Sequence, residues 1–264
     1  MKRPGPRLSE SFLNRPQEVR LIPLRTLPEV TRGADLGRVI VGSAVREGLD
    51  FLRGDVLVVA QKIVSKAEGR SVVLSSVKPS PLATEWAPRL GQDPRLTEVV
   101  LRESRRVIRM TERALIVETR HGFVCANAGV DRSNVSGERV TCLPEDPDAS
   151  ARRIAAGLRR RTGVAVPVIV SDTFGRPWRL GLVNVAIGTS GLQVMEDLRG
   201  TRDAYGNSLR ATLLAVADEL AAAAGLLMKK NEAVPAVIVR GFRYRPARES
   251  AQRLLRPPAQ DMFR

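Results

Sequence analysis

GDVLVVAQKIVSKAEGR, residues 54–70, sets an apolar strand directly against a polar, lysine-bearing end. Gly54-Asp55 reads as a turn, and Val56 to Ala60 has the short, uninterrupted, β-branched character of a buried strand. The apolar character persists to Val64, so the strand region is expected to reach that far, with Lys66, Glu68 and Gly69 just beyond it. Runs of the same kind occur on both sides: Val19–Leu24, Val166–Val170, Leu182–Ile187 and Val234–Val239. Pro23 cannot donate to a ladder and places the first of them at a sheet edge or end.

Between these runs lie helical patterns. Leu36, Val39, Ile40, Ala44 and Leu49 fall near helical spacing from Asp35 to Leu49, bracketed by Gly33 and Gly48. Asp93-Pro94 and Asp146-Pro147 open two more helices, the second stopped by Gly163. Residues 75–105 otherwise read as polar loop and helix, punctuated by Pro79 and Pro81. Arg106–Met110, Ala114–Glu118 and Gly122–Ala126 suit a β-meander, and the longest helix is expected from about Ser208 to Met228. Strands and helices intermix without strict alternation, which predicts an α+β fold rather than a doubly wound sheet. The expected organisation is an N-terminal extension at 1–18, a body at 19–242 and a basic tail at 243–264, in which Pro257-Pro258 marks a frayed end.

Composition bounds the function. A hydrophobic content of 43% over 264 residues supports a substantial core. No apolar run reaches the roughly 20 residues of a membrane span, and Met1 to Arg7 lacks a signal-peptide core, so a cytoplasmic protein without membrane contact is expected. Cys125 and Cys142 match no zinc spacing and read as ordinary thiols. Lys and Arg number 43 against 28 Asp and Glu, a net charge of +15 that invites nucleic acid. The arginines are scattered, however, and aromatics make up only 4% of the chain, too few for stacking on single strands. A basic surface attracts acidic small molecules as well.

Two aspartates share a setting that suits metal chemistry. Asp131 follows the apolar run at 123–126 and has Ser133 and Asn134 beside it; Asp172 immediately follows Val168-Ile169-Val170-Ser171 and precedes Thr173. Carboxylates and hydroxyls at strand ends fit a hard cation such as Mg²⁺ or Mn²⁺, with waters and phosphate oxygens completing the shell. Taken singly, each aspartate reads first as structural: an Asx-turn or helix cap at Asp131, and at Asp172 a turn that hydrogen-bonds its own backbone. Lys66 could meet a phosphate as a point charge, or could be a solvated strand end paired with Glu68. In SDTFGRPWRLG, residues 171–181, Arg176 and Arg179 flank Pro177-Trp178 and form a candidate clamp for an anionic substrate. The alternative leaves both arginines in solvent while Trp178 caps the core. His121 has no second histidine and no triad order to support a general-base role. GxGxxG and GxxxxGK[ST] loops are absent.

VSKAEGR at 64–70, HGFVCANAGVDRSNV at 121–135, LPEDPDASA at 143–151, SDTFGRPWRLG at 171–181 and ADEL at 217–220 occur together in this order. From about Ile22 to Gly241 the chain resembles the coenzyme F420-0:L-glutamate ligase family. The resemblance implies a GTP-dependent ligase that adds L-glutamate to a phospholactyl deazaflavin, extends a γ-linked tail through an acyl phosphate, and adopts a family-specific, largely antiparallel fold in an intertwined homodimer. It implies Mg²⁺ or Mn²⁺ held by Asp131, Asp172 and Thr173, with K⁺ as a candidate monovalent ion. It implies nucleotide contacts at Leu27, Pro28, Glu29, Val30, Gln61, Lys66 and Asn134; of these, Leu27 to Val30 and Gln61 are not singled out by chemistry alone. One departure stands out: the family tends to read Met-Gly after the long helix, where this chain has Met228-Lys229-Lys230. The alternatives are a metal-dependent ligase on another acidic acceptor and a nucleic-acid-binding protein using its basic tail.

Overall fold

The computed structural model describes residues 18–112, 114–132, 137–229 and 231–261. Its centre is a five-stranded sheet built from β1 (Arg20–Leu24), β2 (Val56–Ala60), β8 (Val168–Arg176), β9 (Arg179–Ser190) and β12 (Ala236–Arg240), in the order β1-β12-β2-β8-β9. Only β2 and β8 pair in parallel, with Ala60 opposite Ser171; the other three pairings are antiparallel. Pro23 lies on the edge strand, as its missing N–H requires.

Alternation along β2 fills both faces of the sheet, which is why the run reads as continuously apolar. Leu57 and Val59 point into a core shared with α1 (Leu36–Arg46) and α5 (Pro147–Thr162), while Val56 and Val58 meet α6 (Val216–Gly225) on the other face. The helices α1 and α5 can approach closely because Gly37 and Gly157 meet at their crossing: a Cβ added at Gly37 would lie 2.8 Å from the Gly157 Cα. Asp35 caps α1 by accepting from Arg38 N, and Asp146 caps α5 by accepting from Ala149 N.

A smaller lobe grows between β2 and β8. Its core joins α3 (Pro81–Leu90), α4 (Pro94–Glu103), the β3 (Ser71–Val73) and β7 (Arg139–Thr141) pair, and the meander β4 (Ser104–Met110), β5 (Leu115–Thr119) and β6 (Val124–Ala126). The result is the expected mixed α+β architecture with largely antiparallel sheets.

Four local expectations are corrected. The strand region does not extend to Val64: it stops at Ala60, and α2 (Gln61–Ala67) follows, burying Ile63 and Val64 from a helix. A short apolar run cannot distinguish the two by periodicity. Residues 171–181 are not a loop, because β8 continues to Arg176 and returns through Pro177-Trp178 into β9. The helix expected from Ser208 is confined to Val216–Gly225, so the 16-residue α5 is the longest described. Upstream of α6, Asp203 accepts from Tyr205 N and Asn207 N and turns the chain, while β10 (Glu196–Asp197) pairs with β11 (Leu213–Leu214). Finally, Pro81 starts a helix, with Ser80 accepting from Ala83 N as its cap.

The arginine-rich tail packs on the body. Gln193 N donates to Arg245 O, Val194 N to a Glu249 carboxylate oxygen, and Ala251 is fully buried. No helix among the described residues is long and apolar enough to cross a membrane.

Candidate functional site

Sheet polarity brings the motif residues to one place. β1 is antiparallel to β12, which is antiparallel to β2, and β2 is parallel to β8, so all three outer connections leave from the same edge. Leu27 to Val30 follow the carboxyl end of β1, Gln61 follows that of β2, and Asp172 follows Ser171, which stands opposite Ala60. Ligands in sheets with parallel strands gather outside the carboxyl ends of those strands. A cleft of about 540 Å³ opens there, lined by Leu27, Pro28, Glu29, Val30, Gln61, Lys66, Asp131, Asp172 and Thr173. Asp131 comes from the smaller lobe, tied to β7 by paired backbone hydrogen bonds with Thr141.

Asn134 and its neighbour Ser133 lie outside the described residues, as does Lys230. Arg176 and Arg179 are not among the cleft residues: they face each other across the hairpin turn, where Arg176 Nη2 donates to Leu180 O at 3.1 Å. Trp178 does not cap the core. It sits at φ +56° in the turn, 81% exposed, beside Leu180 at 99%.

Several cleft residues escaped the sequence reading. Lys62 ion-pairs with Asp131, Nζ to Oδ2 2.8 Å, and Lys66 reaches Glu29 Oε1 at 2.5 Å rather than the expected Glu68, which instead accepts from Ser150 and Arg153. Asn184, opposite Thr173 in the hairpin register, accepts the Thr173 hydroxyl proton at 3.0 Å. Because that hydroxyl spends its hydrogen on Asn184, its lone pairs remain for a cation. Gly225 keeps the space for Asn184, since a Cβ there would lie 3.0 Å from the Asn184 Cγ. An irregularity between the Arg176–Arg179 and Gly175–Leu182 pairs shifts the register and so places Asn184, rather than Leu182, opposite Thr173; nothing local in the sequence announces it. Lys229 lines the cleft from the position where the sequence departs from the family pattern, and pairs with Glu232 at 2.9 Å.

The donor set suits a hard divalent ion. Among the described residues no group of three or more His, Cys, Asp and Glu side chains gathers to form a closed cage. Two carboxylates and a hydroxyl in one cleft instead match the open coordination of Mg²⁺ or Mn²⁺, which retain waters and take phosphate oxygens. Next to Asp172, the buried Ser171 Oγ has no hydrogen-bond partner although it lines the cleft. Buried hydroxyls left without a partner are costly and point to a ligand or ordered water. Thiol chemistry is not offered here: burial, with the Asp172 charge adding to it, pushes the Cys125 thiol up to about 12. His121 is likewise spent on structure, its Nε2 lying 2.9 Å from Pro144 O while its ring stacks on Phe123.

A family model described as F420-0:gamma-glutamyl ligase matches residues 25–241. The coenzyme F420:L-glutamate ligase of Methanothermobacter thermautotrophicus is 48% identical over 249 residues, covering 93% of this chain and 99% of the relative. Its namesake in Methanopyrus kandleri is 46% identical over 251 residues, covering 93% and 98%, and that of Methanocaldococcus jannaschii 40% over 212 residues, covering 80% and 85%.

Proposed function

The chain belongs to the F420-0:gamma-glutamyl ligase family, and from that premise we propose that its cleft joins L-glutamate to coenzyme F420-0 at the expense of GTP and extends a γ-linked tail. The observation that carries this reading is convergence: every described residue implied to contact nucleotide or metal lines one cleft, beyond the carboxyl ends of β1 and β2 and beside the middle of β8.

Joining a carboxylate to an amine in water requires an activated acyl group. An acceptor carboxylate oxygen attacks the γ-phosphorus of GTP, the bond to the bridging oxygen breaks, and GDP leaves. The glutamate amine then attacks the acyl carbon, phosphate departs, and the amine's proton is lost to solvent. Transfers of this kind depend on positioning and charge neutralisation rather than on a protein nucleophile. Asp131, Asp172 and Thr173 would hold a divalent ion, which supplies positive charge to phosphate oxygens when bound. Lys66 adds a point charge in the same cleft, and Asn184 keeps the Thr173 oxygen turned for coordination. Residues Leu27 to Val30 and Gln61 bound the nucleotide end. The acidic acceptor also accounts for the basic surface, while the docked tail is not a free arm for nucleic acid.

The exposed Trp178, Leu180 and Leu182 at the hairpin tip support assembly as the homodimer that the resemblance implies. A cytoplasmic site of action belongs to the same reading. The decisive experiment incubates purified protein with F420-0, L-glutamate, GTP and Mn²⁺ or Mg²⁺ and follows products by mass spectrometry. Addition of glutamate residues to the acceptor is expected, with GDP release requiring the acceptor and continuing through many turnovers only when glutamate is also present. An unchanged acceptor mass with intact, folded protein overturns the proposal.

A further inference from the structure

We propose that Lys62 couples nucleotide binding to divalent-cation binding by exchanging between Asp131 and a nucleotide phosphate. Lys62 is the second residue of α2, immediately beyond the carboxyl end of β2, and its ammonium lies 2.8 Å from Asp131 Oδ2. Both side chains are largely withdrawn from solvent, 15% and 25% exposed, yet both line the cleft that also holds Asp172, Thr173 and Lys66.

The inference rests on the reading of Asp131 as a metal ligand. An ammonium and a divalent ion at one carboxylate repel each other, so an ion entering alone must displace Lys62 or bind against its charge. A lysine suits such an exchange: it is a compact point charge on a flexible stem, without the bidentate fork that locks an arginine onto a carboxylate. A nucleotide polyphosphate offers the ammonium a second anionic partner in the same cleft. When Lys62 moves to it, the ammonium no longer opposes a cation at Asp131, and nucleotide and metal each favour the other's binding. Linkage makes the effect reciprocal.

The test titrates Mn²⁺ against the full-length protein, reading free Mn²⁺ by electron paramagnetic resonance, with and without GTP and with no acceptor present. Wild-type protein is expected to bind Mn²⁺ about tenfold more tightly when GTP is present, within the usual range of coupling between sites. Lys62→Met is expected to bind Mn²⁺ alone about tenfold more tightly than wild type and to gain little from GTP. Lys62→Arg, which keeps the charge, is expected to bind Mn²⁺ alone no more tightly than wild type. Circular dichroism and a thermal melt establish that each variant is folded, and Lys62→Gln replaces Lys62→Met should the latter fail. Unchanged or weaker Mn²⁺ binding in the folded neutral variants, or a full response to GTP, overturns the proposal. Asp131→Asn separates the two levels: if it binds Mn²⁺ as wild type does, the metal assignment itself falls. If Mn²⁺ binding is lost there while Lys62→Met behaves as wild type, only the coupling falls.

Discussion

The two ends of β2 each carry an acid–base pair, built in opposite ways. At the amino end Asp55, 1% exposed, takes Nε and Nη2 of Arg240 at 2.8 Å each and the Leu52 N–H at 2.8 Å. At the carboxyl end Asp131 is met by the flexible ammonium of Lys62 in an open cleft. The first pair is a rigid fork with a backbone donor behind it, and it closes the sheet between residues 185 apart in sequence. The second is a point charge beside a second carboxylate and a hydroxyl. Where a buried fork and a backbone donor take up a carboxylate it fastens the fold; where a lysine meets it in an open cleft, ligands can compete for it.

The widest gap between the two ends is expected in activity. Asp172→Asn and Asp131→Asn remove the charge that the cleft offers a cation, and ligation should fall on the order of 10³-fold, as when a preorganised electrostatic group is lost. Melting temperatures should stay close to wild type, because both carboxylates line the open cleft rather than the core. Near-normal turnover in either variant would separate Asp131 and Asp172 from the chemistry. The reverse pattern is expected at the other end. Arg240→Met leaves a buried Asp55 uncompensated and should cost about 3–5 kcal/mol in urea denaturation, with turnover per folded molecule kept within a factor of two. A loss of turnover as large as its loss of stability would mean that the two ends are not independent.

The contrast was only half legible in the sequence. Asp131 and Asp172 could be suspected because oxygen donors after apolar runs are local features, Asp172 within β8 and Asp131 beyond the run that ends in β6. Lys62 and Asn184 could not, because both matter through partners far along the chain or across a hairpin. Lys62 was hidden by the assumption that the strand continued to Val64; the helix starting at Gln61 is what turns it toward Asp131. Asn184 was hidden by reading residues 171–181 as a loop, which severs its register with Thr173. In the same way, the apolar spacing from Leu209 to Leu227 resembled one helix because nothing local announces that Leu213–Leu214 pairs with Glu196–Asp197. The clamp suggested by Arg176 and Arg179 rested on the same loop and is carried away from the cleft by the hairpin.

A third carboxylate sharpens the rule without any cation. Asp148, in the first turn of α5, accepts from Thr189 N at 2.7 Å, Ala251 N at 3.1 Å and Ser250 Oγ at 2.5 Å, and so ties the tail to β9. Asp148→Ala strands two buried backbone donors and should cost about 2–3 kcal/mol. Limited trypsin digestion should then cut the arginine-rich segment after residue 243 sooner than in wild type. Equal digestion rates would mean that other contacts hold the tail.

The smallest effect is expected at Asp218, whose side chain accepts from the Ala186 N–H at 2.9 Å and carries no ion pair among the described residues. Burial raises its pKa above the ordinary carboxylate value, and the Ala186 bond only partly offsets this. A raised folded pKa means that the native state holds its proton to higher pH than the unfolded chain does. The associated stability is therefore complete below the unfolded value of about 4 and is lost as pH rises through the folded one. Asp218→Asn keeps an acceptor for Ala186 and removes the charge, so it should gain up to about 1 kcal/mol at neutral pH and nothing near pH 3. Urea midpoints of both proteins across pH 3–8 check the sign. A loss of stability in Asp218→Asn at neutral pH that vanishes toward pH 3 would mean instead that the fold needs Asp218 ionised.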